Sequence, residues 1–75
     1  MEPHPNEMTD LASLAFVDGD SGDEGLAVIR VEGQLVGLTL SVRNKGDVEV
    51  FLDAQVLDQI IQALRTARAM VVPAG

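Results

Sequence analysis

Cysteine, tryptophan and tyrosine are absent from this chain, histidine occurs once and phenylalanine twice. The lack of thiols excludes disulfides, a thiolate nucleophile and any thiolate zinc site. The sole imidazole, His4, lies between Pro3 and Pro5 outside any patterned segment. It therefore has no scaffold to hold it beside Ser13, Ser21 or Ser41, none of which sits in an elbow motif, and nucleophilic catalysis lacks its base. The shortage of aromatic rings removes the stacking platforms on which single-stranded nucleic acids are bound. Positive charge is also scarce: five Lys and Arg stand against twelve Asp and Glu, a formal net charge of −7. Such a balance repels phosphate backbones and anionic membranes, so neither direct nucleic-acid binding nor membrane association is expected. No apolar run approaches the roughly 20 residues that span a bilayer. The Met1–Pro5 segment has neither the basic nor the apolar region of a secretory leader, and the expected location is cytoplasmic.

Carboxylates are abundant, and Asp18-Gly19-Asp20-Ser21-Gly22-Asp23-Glu24-Gly25 superficially resembles the start of a calcium loop. The spacing fails. Counting from Asp18, position 5 is Gly22, position 6 is Asp23 and position 12 is Ile29, where an EF-hand needs a ligand, a glycine and a bidentate glutamate. Gly19, Gly22 and Gly25 do not form a phosphate cradle either, because their acidic neighbours repel phosphate and no Walker lysine follows. No metal, no cofactor and no catalytic residue is expected, and the chain is read as non-enzymatic. Asp18, Asp20, Asp23 and Glu24 form an acidic patch on a solvated connection.

With 75 residues there is material for one core, and domains of this size hide only about 60% of the surface their unfolded chain exposes. They commonly need a disulfide, a metal or a partner, and here the partner is the available aid. Residues 1–10, with two prolines and no periodicity, are expected to be a flexible tail, and 11–75 a single small α+β domain.

The segment from Leu11 to Val17 fits neither period cleanly: Leu11, Leu14 and Ala15 suit a helical face, while Phe16-Val17 and the Asp18-Gly19 stop suit a strand. We read it as a strand. Leu26–Val31 is rich in β-branched residues and ends in a turn at Glu32-Gly33. The next run alternates cleanly, with Val36, Leu38, Leu40 and Val42 on one side. Asn44-Lys45-Gly46 makes a tight turn into a return strand from Asp47 to Leu52, whose Val48, Val50 and Leu52 join the same side.

Asp53 is placed to cap a helix beginning at Ala54. Val56, Leu57, Ile60, Ile61, Leu64, Ala67 and Val71 gather into one stripe of that helix, and Pro73 ends it. Arg68 falls at the stripe's edge and is expected to lay its stem on the sheet or to pair with a carboxylate. The expected fold is an antiparallel β-meander of three to four strands with one C-terminal amphipathic helix packed on one face.

A single helix covers one face of such a sheet. Leu26, Val28, Leu35 and Phe51 are directed to the other, which calls for something to bury them. The first reading of function is therefore a protein-interaction module, a small homodimeric adaptor or regulator with an acidic surface. Its copies meet through the reverse face or an exposed strand edge. An acidic inhibitor whose Asp18, Asp20, Asp23, Glu24, Asp47 and Glu49 imitate phosphates is the alternative, and an accessory subunit of a composite enzyme is a third. No motif identifies the partner protein.

Overall fold

The computed structural model describes residues 8–71 and has the expected α+β architecture. Strands β1 (Met8–Val17), β2 (Glu24–Glu32), β3 (Leu35–Val42) and β4 (Gly46–Leu52) form one antiparallel sheet in the order β1-β2-β3-β4, followed by helix α1 (Ala54–Met70). Sequential order follows from the connections: two- and three-residue turns join β2 to β3 and β3 to β4 as neighbouring antiparallel strands. The longer β1–β2 loop is closed on itself by backbone bonds between Asp18 and Asp23 and between Gly22 and Asp18. Gly33 supplies positive φ (61°) at the first central position of the β2–β3 turn, as a hairpin with glycine leading requires. In the β3–β4 turn two residues enter the left-handed region, Asn44 (φ 72°) and Gly46 (φ 88°). Asparagine is among the few side chains that tolerate it.

The ambiguous segment at 11–17 is a strand, and the strand starts three residues before it. Of the expected tail, residues 1–7 lie outside the described residues, while Met8, Thr9 and Asp10 pair with Glu32, Val31 and Arg30. The register then shifts between Asp10 and Ala12. This bulge at Leu11 explains the confused periodicity: it sends Asp10 to one side of the sheet while keeping Ala12, Leu14 and Phe16 on the other.

Directly paired residues share a face, so the registers sort every strand residue. One side carries Ile29, Val31, Val36, Leu38, Val50 and Leu52, and α1 lies on this side, approaching β3. Asp53 caps the helix, its Oδ1 accepting from the Val56 backbone N–H at 2.9 Å. Asp53→Ala should lower stability by about 1 kcal/mol, whereas Asp53→Asn, which retains the acceptor, should lose a small fraction of that in chemical denaturation.

The two phenylalanines are both seated over glycines. Phe16 faces its cross-strand partner Gly25 on the helix side, and Phe51 faces Gly37 on the reverse side. A methyl group at Gly37 would stand 2.8 Å from Phe51 Cε1, so the ring fills the place a side chain would take. Gly37 is the one buried residue among those described, and no apolar side chain is buried.

Candidate functional sites on the two sheet faces

The reverse side of the sheet is mixed in character. Leu26, Val28, Leu35 and Phe51, separated in sequence, all point to it through their pairings with Ser41, Thr39, Glu32 and Gly37. Val28 is half-buried, and the other three are about two-fifths exposed. The pairing of Asp10 with Arg30 and of Thr39 with Glu49 places charge between them. Arg30 Nε donates to Asp10 Oδ1 at 2.9 Å and its Nη1 to Glu49 Oε2 at 3.0 Å, while Thr39 Oγ1 donates to the same Glu49 oxygen at 2.9 Å. Ser41 Oγ adds a hydrogen bond to Asp47. Asp10, Glu24, Arg30, Glu32, Asp47 and Glu49 all belong to this face by register. The sequence signal for Arg30, Asp47 and Glu49 was present in the strand alternation. That for Asp10 was hidden by the bulge.

The helix side holds no charged strand residue. Between α1 and the sheet lies a space of about 360 Å³. Ile29, Val31, Leu38, Leu57 and Ile60 are among its apolar walls, and no polar residue lines it. Such a lining offers no group that could bind metal, activate water or orient a polar substrate.

The acidic loop is drawn together by the chain's own donors. Asp18 Oδ2 accepts from Lys45 Nζ at 2.7 Å and from Ser21 Oγ at 2.8 Å, and Asp18 Oδ1 accepts from the Asp20 N–H at 3.3 Å. The loop is closed by backbone bonds between Asp18 and Asp23 and between Gly22 and Asp18. Asp20 Oδ2 lies 3.8 Å from Lys45 Nζ, and Arg43 pairs with Glu24 at 3.6 Å. Lys45 thus ties the β1–β2 loop to the β3–β4 turn. Among the described residues no group of three or more side chains is arranged to hold a metal ion.

The Lys45 hydrogen bond, helped by those of Ser21 and Asp20, holds the Asp18 carboxyl well below the ordinary carboxylate range, and the same bond raises Lys45. The depressed carboxyl adds stability that is complete above its unfolded pKa and fades as pH falls through the folded value. The raised ammonium adds stability that is complete below its unfolded pKa and fades as pH rises through the folded one. Both groups stand in contact with solvent, so the net effect is small. In Lys45→Ala, the Asp18 carboxyl titration followed by carbon NMR should move up toward the ordinary range. An unmoved titration would show that the lysine is not the cause.

Arg68 makes no ion pair with any described residue; with Ile61, Leu64 and Arg65 it borders a shallow cleft on α1. No described helix is long and apolar enough to cross a membrane. The chain matches no family model, no curated protein and no solved structure.

Proposed function

We propose that the protein is a non-enzymatic interaction module, a small homodimeric adaptor or regulator that presents an acidic surface to another protein. The observation that carries this reading is the absence of any buried apolar side chain among the described residues. Leu11, Leu14, Val17, Leu64, Met70 and Val71 are each more than half exposed. A chain of this size offsets its backbone entropy by burying apolar surface. A second copy supplies that burial without a disulfide or metal.

The wholly apolar lining of the space beneath α1 supports a binding role over a catalytic one. Lys45, standing within the acidic loop, neutralises part of the charge that a phosphate mimic would have to present. Sedimentation equilibrium at micromolar concentration should show a dimer. A monomer that unfolds in a sharp calorimetric transition would overturn the reading.

A further inference from the structure

The helix covers only one end of the apolar side of the sheet. Leu14, Phe16, Leu40, Val48 and Val50 face the same way as Ile29 and Leu38, yet none of them borders the space beneath α1. Their exposure runs from 36% for Phe16 to 56% for Leu14. Together they form a bare apolar floor at the end where the β1–β2 and β3–β4 turns lie. Asp18, Asp20 and Asp23 belong to the β1–β2 loop at that end, where Lys45 pairs with Asp18 and Asp20.

Helix α1 has the opposite surplus. At 100° per residue its apolar arc runs from Met70 through Val56, Ala67 and Ile60 to Ile61, roughly 180°, whereas covering a sheet takes about 100°. Leu57, Ile60, Ile61 and Leu64 face the chain's own sheet. The flank bearing Val56, Ala63, Ala67 and Met70 is left over, with Met70 81% exposed. Arg65 and Arg68 lie away from this flank, beside Ile61 and Leu64, so the spare flank carries no charge.

We propose that the bare end of the sheet is covered by α1 of a second copy. The two chains exchange helices about a two-fold axis, so each sheet carries its own helix at one end and its partner's at the other. The inference rests on the dimeric reading above and assigns its contact surface. Charge selects the face. Apposing the reverse sides would desolvate Asp10, Arg30, Glu32 and Glu49 with their neighbours, while apposing the helix sides desolvates no charged strand residue.

Size also fits. Four strands are about 19 Å wide and one helix is about 10 Å across. From strand spacing and rise and from helix rise and width, the bare floor plus the spare helix flank make a flat footprint of about 500 Å² per copy. Protruding side chains bring its accessible area toward the ~800 Å² per partner of stable complexes. A two-fold axis satisfies both surpluses at once, because the donor of each helix is the acceptor of the other.

The test combines sedimentation equilibrium on the full chain with NMR. Leu14→Asp, Val48→Asp and Met70→Asp should each weaken self-association at least tenfold, while Leu26→Asp on the reverse side leaves it within about twofold. Circular dichroism checks that each variant keeps its fold. In an equal mixture of isotope-labelled and unlabelled wild type, intermolecular contacts between the Met70 methyl and those of Leu40 or Val48 should appear, a readout that needs no variant. A monomeric wild type would overturn both the dimeric reading and this assignment. A dimer sensitive to Leu26→Asp alone, or one lacking the mixed-label contacts, would preserve the dimer and overturn the helix-side assignment. Sensitivity to Leu14→Asp and Val48→Asp without sensitivity to Met70→Asp would remove the helix as the occupant.

Discussion

Each tenfold dilution of the protein should lower its thermal midpoint by about 3–5 °C, a shift that no monomeric domain shows. When the folded state is a dimer and the unfolded state is not, tenfold dilution removes about 1.4 kcal/mol from the folded side by mass action. Two copies of this chain unfold with the entropy of a domain of about 150 residues, for which 1 kcal/mol moves the midpoint by about 2–4 °C. Scans over three decades of concentration should therefore span roughly 10 °C or more. Superimposable scans would mean that the half-exposed apolar residues of one copy suffice to hold it folded. The reason to expect the shift lies in the same residues: Leu14, Val48 and Met70, each more than half exposed, add little to the stability of a single chain while they face water.

Placing a charge between helix and sheet should have the other large effect. Ile60 is half-buried and borders the apolar space with Leu57, Val36 and Leu38. In Ile60→Asp the carboxylate would find no donor there, since that lining has no polar side chain. It must either stay ionised in a poor dielectric, take up a proton, or pull the helix off the sheet. The expected loss is about 3 kcal/mol or more, a large part of what holds a small domain folded. Gln59→Asp, one position away on the exposed surface of α1, should change stability by no more than ~0.5 kcal/mol. Acidification to about pH 4 should recover part of the loss in Ile60→Asp, because protonation removes the charge. Equal stability of the two variants in denaturant titration would show that α1 does not depend on its sheet contact.

Much of this architecture was legible in the residues. The alternation of Val36, Leu38, Leu40 and Val42 specified β3 and its inward side, Gly33 and Gly46 marked the turns, and Asp53 announced the helix start that its 2.9 Å bond to Val56 bears out. The first strand was less clear because a bulge breaks the two-residue period on which such readings depend. The two phenylalanines show a different blind spot. Phe51 reads as a stray apolar residue on a polar side until the register sets Gly37 opposite it, and the seating of Phe16 over Gly25 on the apolar side is likewise set by register.

The candidate surfaces divide in the same way. Sequence alternation was enough to direct Leu26, Val28, Leu35 and Phe51 to one side, and to show that one helix leaves apolar surface over, because side-chain direction in a strand is a local property. The acidic loop was likewise visible as a composition, but its attachment to Lys45 joins residues 27 apart in the chain. The distribution of charge between the two sides depended on pairing across strands: Arg30 meets both Asp10 and Glu49 only after all four strands are aligned.

By itself, then, the sequence determined the element types, their order, the turns, the cap and the surplus of apolar side chains, all of which follow from backbone preferences and periodicity over a few residues. The tertiary structure decided the bulge, the ring-over-glycine contacts, the ion network on one side, and how little of the opposite side α1 covers. Those features arise from distances between segments remote in the chain. No local pattern encodes such a distance, because it is fixed only when strands choose their register and a helix its place on the sheet.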